Sequence, residues 1–102
     1  MANKHYRVGY SLERDVKKAL EAKGWVVYRS AGSHSMADLI ALKQGPKNQG
    51  RGLCEVSLIQ CKRHRNLMTN RELVEFNTAS ERLNADAVIA WRDKGIHLEY
   101  LQ

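Results

Sequence analysis

Gln60 and Lys62 stand two residues apart in the run Ile59-Gln60-Cys61-Lys62, and Asp38 opens an apolar segment upstream of them. Side chains alternate along a strand, so Gln60 and Lys62 share one face and Cys61 takes the other. Gln60 can offer a neutral amide oxygen to a divalent cation, and Lys62 can sit beside a phosphate that the cation polarises. Asp38 is the expected bridging carboxylate, with the backbone carbonyl of Cys61 as a further oxygen donor. Phosphodiester hydrolysis needs a water made nucleophilic and a transition-state charge neutralised, and a carboxylate-held divalent ion supplies both. Magnesium suits such a site because it takes few protein ligands and keeps several waters, with manganese as a substitute. Lys62 would orient the water or stabilise the developing charge. Glu13 would hold the ion directly or through its water, restoring the negative charge that Gln60 does not provide.

These residues need elements that bring them together. Ser11 is a suitable N-cap, followed by Leu12, Val16, Ala19 and Leu20 at helical spacing until Gly24. That pattern predicts an amphipathic helix of about three turns, with Glu13 flanking its apolar stripe. Trp25 to Arg29 reads as a strand from its aromatic and β-branched content. Ser30 to Ala37 is a small polar loop, and Asp38 to Leu42 is a second strand. Lys43 to Gly52 contains Gly45-Pro46 and reads as a hairpin connection, whose Lys43, Lys47 and Arg51 could touch phosphates.

A third strand is expected from Leu53 to Lys62, with Val56, Leu58, Gln60 and Lys62 on one face and Glu55, Ser57, Ile59 and Cys61 on the other. Arg63-His64-Arg65 forms a basic exit loop. Thr69-Asn70-Arg71-Glu72 fits a capping box ahead of a helix carrying Leu73, Phe76, Ser80 and Leu83 on one side. Strands at Asp86 to Trp91 and Ile96 to Leu101 complete the order α-β-β-β-α-β-β, an α/β domain with a central mixed five-stranded sheet flanked by helices. If strands two and three form an antiparallel hairpin, the start of one lies beside the end of the other. Asp38 then neighbours Gln60 and Lys62, and the first helix lets Glu13 approach from above.

Length and charge bound the remaining possibilities. A chain of 102 residues is expected to form a single domain with a modest core. No apolar run approaches the ~20 residues of a bilayer span, and the first residues lack the apolar core of a secretory signal, so an intracellular setting is expected. The net charge of +6 favours a polyanionic partner. Cys54 and Cys61 would lie roughly 23 Å apart along one strand, far beyond disulfide reach. With no C-x-x-C pair and scattered histidines, zinc is a poor fit.

Taken singly, these residues have ordinary readings. An aspartate at a strand start is commonly a turn-proximal acid, and a strand-end lysine followed by Arg63-His64-Arg65 is commonly a solvated edge. Serines such as Ser30 and Ser33 in a glycine-containing loop are mostly turn formers. His34 could contact DNA, although loop histidines are more often inert. Glu55 faces away from Gln60 and is assigned to structure. Trp25 and Trp91 are expected to fill core or an interface.

The chain as a whole resembles the archaeal-type (Hjc-like) Holliday-junction resolvases of the restriction-endonuclease superfamily. The resemblance begins at Gly9-Tyr10-Ser11-Leu12-Glu13-Arg14, continues through Gly24-Trp25-Val26-Val27-Tyr28-Arg29-Ser30, and includes Asp38-Leu39-Ile40-Ala41-Leu42. It implies a restriction-endonuclease-like fold and a metal-dependent endodeoxyribonuclease acting on four-way DNA junctions as a homodimer. By the same resemblance Glu13, Asp38 and Lys62 take catalytic places and Ser33 that of a catalytic-loop serine. Arg14 and Arg29 fall where the family carries DNA-contacting residues, and Arg7, Ser30, His34, Lys47, Arg51, Arg63 and Arg65 are expected to join them.

Two positions depart from the family pattern. Ala37 replaces the usual proline, and Gln60 replaces the usual glutamate. Ile-Gln-Cys-Lys instead looks like the triplet of Mrr-type restriction endonucleases, in which glutamine is compatible with activity. Two alternatives remain at this stage: another restriction- or repair-type endonuclease of the superfamily, and a DNA-binding module whose nuclease site has decayed.

Overall fold

The computed structural model describes residues 4–30, 37–45 and 54–101, with side chains from residue 10 onward. Its elements are α1 (Lys4–Glu21), β1 (Val26–Arg29), β2 (Leu39–Gln44), β3 (Cys54–Cys61), α2 (Asn70–Arg82), β4 (Asp86–Arg92) and β5 (Ile96–Leu101), with a 3-10 turn at Arg65–Leu67. The expected order is therefore present, with strand ends within two residues of their expected positions.

The start of α1 is the main correction. The helix begins at Lys4, so Ser11 lies inside it and caps nothing. Serine is only mildly unfavourable within a helix, so its preference for caps yields to the longer apolar repeat. Val8 stands four residues before Leu12, so that repeat already runs upstream of Ser11. The helix ends at Glu21, and the turn after it closes at the expected Gly24, whose φ of +94° is the left-handed conformation that glycine adopts without steric cost.

The sheet runs β1-β2-β3-β4-β5, each strand beside its neighbour in sequence. β1–β2, β2–β3 and β4–β5 are antiparallel, whereas β3–β4 is parallel and is connected through α2. A parallel joint requires such a crossover.

Each helix covers one face. Leu12, Val16 and Leu20 pack from α1 onto Val27, Leu39, Ala41, Ile59, Val88 and Ala90. On the other face Phe76 and Met68 meet Leu58, Ala87 and Ile89. Each fully buried large apolar side chain contributes about 1.5–3 kcal/mol from the area removed from water. The split confirms the expected alternation in β3, with Ile59 and Cys61 against α1 and Val56 and Leu58 against α2.

Phe76 and Ser80 are buried, but Leu83 is 64% exposed. It is the C-cap of α2 rather than a member of the helix, so the helical frame no longer carries it to the core. Trp25 packs against the α1 cluster and Trp91 against the α2 cluster, where Trp91 also stacks on His97. Both cysteines are free. Among the described residues, no helix is long and apolar enough to cross a membrane.

Candidate active site

Leu39 pairs with Ile59 in the antiparallel register, which brings the start of β2 to the end of β3. Just outside β2, the Asp38 N–H donates to the Ile59 carbonyl at 2.8 Å, and the Asp38 carbonyl accepts the Ser30 N–H at 2.9 Å. The backbone of Asp38 is thus held from both sides. Its side chain completes the arrangement, with Oδ2 accepting the Cys61 N–H at 2.7 Å. β2 ends before its backbone can meet that donor, so a carboxylate takes the place of a ladder carbonyl. Such charge-assisted bonds are roughly twice as strong as neutral ones. The Asp38 carboxylate is therefore fixed beside the Gln60–Lys62 segment.

Glu13 reaches this end of the sheet from α1. Arg29 Nε lies 3.3 Å from Glu13 Oε2, and the Arg29 guanidinium stands over the Tyr10 ring at 4.5 Å from its centroid. Partial burial pushes the Glu13 carboxyl above the ordinary carboxylate range, the Asp38 charge pushes it further, and Arg29 opposes both. Burial and the charges of Asp38 and Glu13 likewise push the Cys61 thiol well up, so it remains protonated. Two carboxylates are therefore close enough to repel.

The site straddles the end of the sheet. Glu13 and the Cys61 thiol lie on the α1 side, Gln60 shares the α2 side with Leu58, and Asp38 lies at the strand end between them. The Lys62 N–H donates to the Ala90 carbonyl at 2.9 Å, tying the residue to β4. Its ammonium lies 3.5 Å from Glu72 Oε2. Glu72 enters the sequence reading only as a capping residue. Its place beside Lys62 depends on how α2 returns across the sheet, which a local pattern does not encode.

A divalent cation matches this donor set. Among the described residues no three His, Cys, Asp or Glu side chains cluster as a metal site. The donors that would hold it are the carboxylates of Asp38 and Glu13, which repel each other, the Gln60 amide oxygen and the Cys61 carbonyl. All are hard oxygens, the donor type that hard divalent cations take.

The expected DNA-contacting residues divide into several groups. His34, Lys47 and Arg51 lie outside the described residues, as do the side chain of Arg7 and the expected catalytic-loop serine, Ser33. Arg14 is exposed on α1, with Nε 3.8 Å from Asp15 Oδ1. Arg29 is drawn to Glu13, and half-buried Ser30 supports Asp38 through its backbone. Arg63 and His64 are exposed beyond β3. Arg65 is engaged by Glu99 of β5, its Nε 2.7 Å from Oε2. Lys43 Nζ lies over the Trp25 ring at 5.6 Å from the centroid.

The topology defines a restriction-endonuclease-like α/β fold. It is similar to the solved structure of Archaeoglobus fulgidus Hjc, a Holliday junction resolvase from an archaeal hyperthermophile, with a TM-score of 0.64 and 22% identity over 91% of this chain and 70% of that one. The family described as archaeal Holliday junction resolvase (Hjc) matches residues 4–102, and the chain belongs to that family. A curated relative, the crossover junction endodeoxyribonuclease Hjc of Methanocaldococcus jannaschii, is 44% identical over 57 residues. That match covers 56% of this chain and spans about a third (35%) of the relative's length.

Proposed function

We propose that this chain is a divalent-metal-dependent endonuclease that resolves four-way DNA junctions as a homodimer inside the cell. The observation that carries the reading is the Asp38 Oδ2–Cys61 N–H bond of 2.7 Å. It holds a carboxylate against the amide–x–lysine segment in a chain whose family is that of the archaeal Holliday junction resolvases. The naming of the Methanocaldococcus relative as a crossover junction endodeoxyribonuclease supports the same substrate class.

Asp38, Glu13, the Gln60 amide oxygen and the Cys61 carbonyl would hold magnesium, or manganese in its place. When bound, the ion supplies a Lewis acid and an activated water. Asp38 orients the donor set because both its backbone and its carboxylate are fixed. Glu13 adds negative charge from the opposite face, and Arg29 limits its repulsion with Asp38. Lys62 places a positive charge where the scissile phosphate gains negative charge. Ser33 belongs to the same reading as the catalytic-loop serine. Arg7, Arg14, Arg29, Ser30, His34, Lys47, Arg51, Arg63 and Arg65 are the proposed DNA contacts, reading shape and backbone rather than bases. A junction with two-fold symmetry is matched most simply by an isologous dimer carrying one site per subunit.

Cleavage of a synthetic four-way junction and of a linear duplex, with and without magnesium, tests the proposal. The wild-type chain should cut the junction selectively and only with metal. Asp38→Asn should slow cleavage by about 100-fold or more while retaining binding, as expected when a charge-stabilising group is lost. Equal cutting of both substrates would remove the junction assignment. Binding without metal-dependent cutting would leave a DNA-binding module.

A further inference from the structure

Lys62 presents a positioning problem that its own strand does not solve. Its backbone is tied to Ala90, but a lysine ammonium ends a flexible four-carbon stem that samples many rotamers. Gln60, two residues earlier on the same face, is neutral and offers it no charge. The carboxylate that meets it comes from α2, where Glu72 Oε2 lies 3.5 Å from Lys62 Nζ.

Glu72 is itself held in place. Its N–H donates to Thr69 Oγ1 at 3.1 Å, the Thr69 hydroxyl donates to Glu72 Oε1 at 3.2 Å, and its carboxylate also accepts the Thr69 backbone N–H. One carboxylate oxygen thus serves the start of the helix and the other faces Lys62. The Lys62 charge, with help from the Thr69 N–H, holds the Glu72 carboxyl below the ordinary range, so it is ionised near neutral pH.

Resting on the nuclease reading above, we infer that Glu72 is a positioning residue: the capped first turn of α2 holds the Lys62 ammonium at the end of β3, ready for the phosphate. An ammonium has three donors, so one bond to Glu72 leaves two for the phosphate and the attacking water.

Glu72→Gln separates this role from helix capping, because glutamine serves a capping box as glutamate does. The variant should lose no more than a few degrees of melting temperature, as for any exposed ion pair, and bind junction within twofold of wild type, while its single-turnover cleavage rate falls about tenfold. In a Lys62→Ala background the same substitution should change the rate less than twofold. Unchanged cleavage by Glu72→Gln, or equal losses in both backgrounds, overturns the proposal.

A second readout is independent of cleavage. NMR of the Lys62 side-chain ammonium, assigned by its loss in Lys62→Ala, should show it more ordered in wild type than in Glu72→Gln. Equal mobility in both overturns the positioning role. Ordered ammonium in a wild-type chain that cuts nothing supports the positioning role while removing the nuclease reading.

Discussion

Glu13 sits where the fold favours its protonated form, and this has opposite consequences for stability and for chemistry. Its carboxyl is raised from 4.5, so its contribution to stability is fully present below that value and is lost as pH rises through the raised one. Ionised Glu13 is therefore a cost to the fold near neutrality. Holding a cation, however, requires the ionised form. Cleavage should fall as pH drops through the raised pKa, and more magnesium should move that acid limb to lower pH because metal and proton compete. A pH–rate profile at two magnesium concentrations checks this, and a limb that magnesium does not move would remove Glu13 from the ion's ligands. Gln60→Glu adds a second fixed carboxylate at the strand end and should give comparable or higher activity. Complete loss in a cleavage assay would remove Gln60 from the site. At this scale the closeness of Asp38 to Gln60 and Lys62 was legible, because it follows from hairpin connectivity and side-chain alternation. The Cys61 N–H that fixes Asp38, and the Arg29 that meets Glu13, were not, because both depend on where particular strands end.

Among the elements, α2 links stability to the site. Its N-terminus is closed by the Thr69–Glu72 box, and the same glutamate meets Lys62. Thr69→Ala removes the cap and should cost about 1 kcal/mol, lowering the melting temperature by about 5 °C in a domain of this size. Thermal unfolding followed by circular dichroism measures the loss; no change would mean that the box contributes nothing to the folded helix. The capping box was readable because four consecutive residues encode it. Ser11 does not mark the start of α1, because its cap-forming side chain stands in the middle of a longer repeat. Spacing alone groups Leu83 with Leu73, Phe76 and Ser80 on one side of the helix, and the helix ends before that spacing applies.

At the scale of the molecule, the expected α/β order and mixed sheet follow from periodicity and turn residues, and the structure adds the pairing. The net charge of +6 suits a polyanionic partner but does not select a branched one. The proposed paired incision needs two sites, so sedimentation should show a mass of two chains under cleavage conditions, and a monomer that cuts both strands in concert would contradict it. The sequential strand order also has a kinetic consequence. Antiparallel neighbours joined directly in sequence can pair through short loop closures, whereas the parallel β3–β4 joint must wait for the α2 crossover. Asp38 and Gln60 belong to the early, local meander. Lys62 takes its final place only when β4 docks beside β3, so during folding Asp38 and Gln60 can come together before the lysine ammonium joins them.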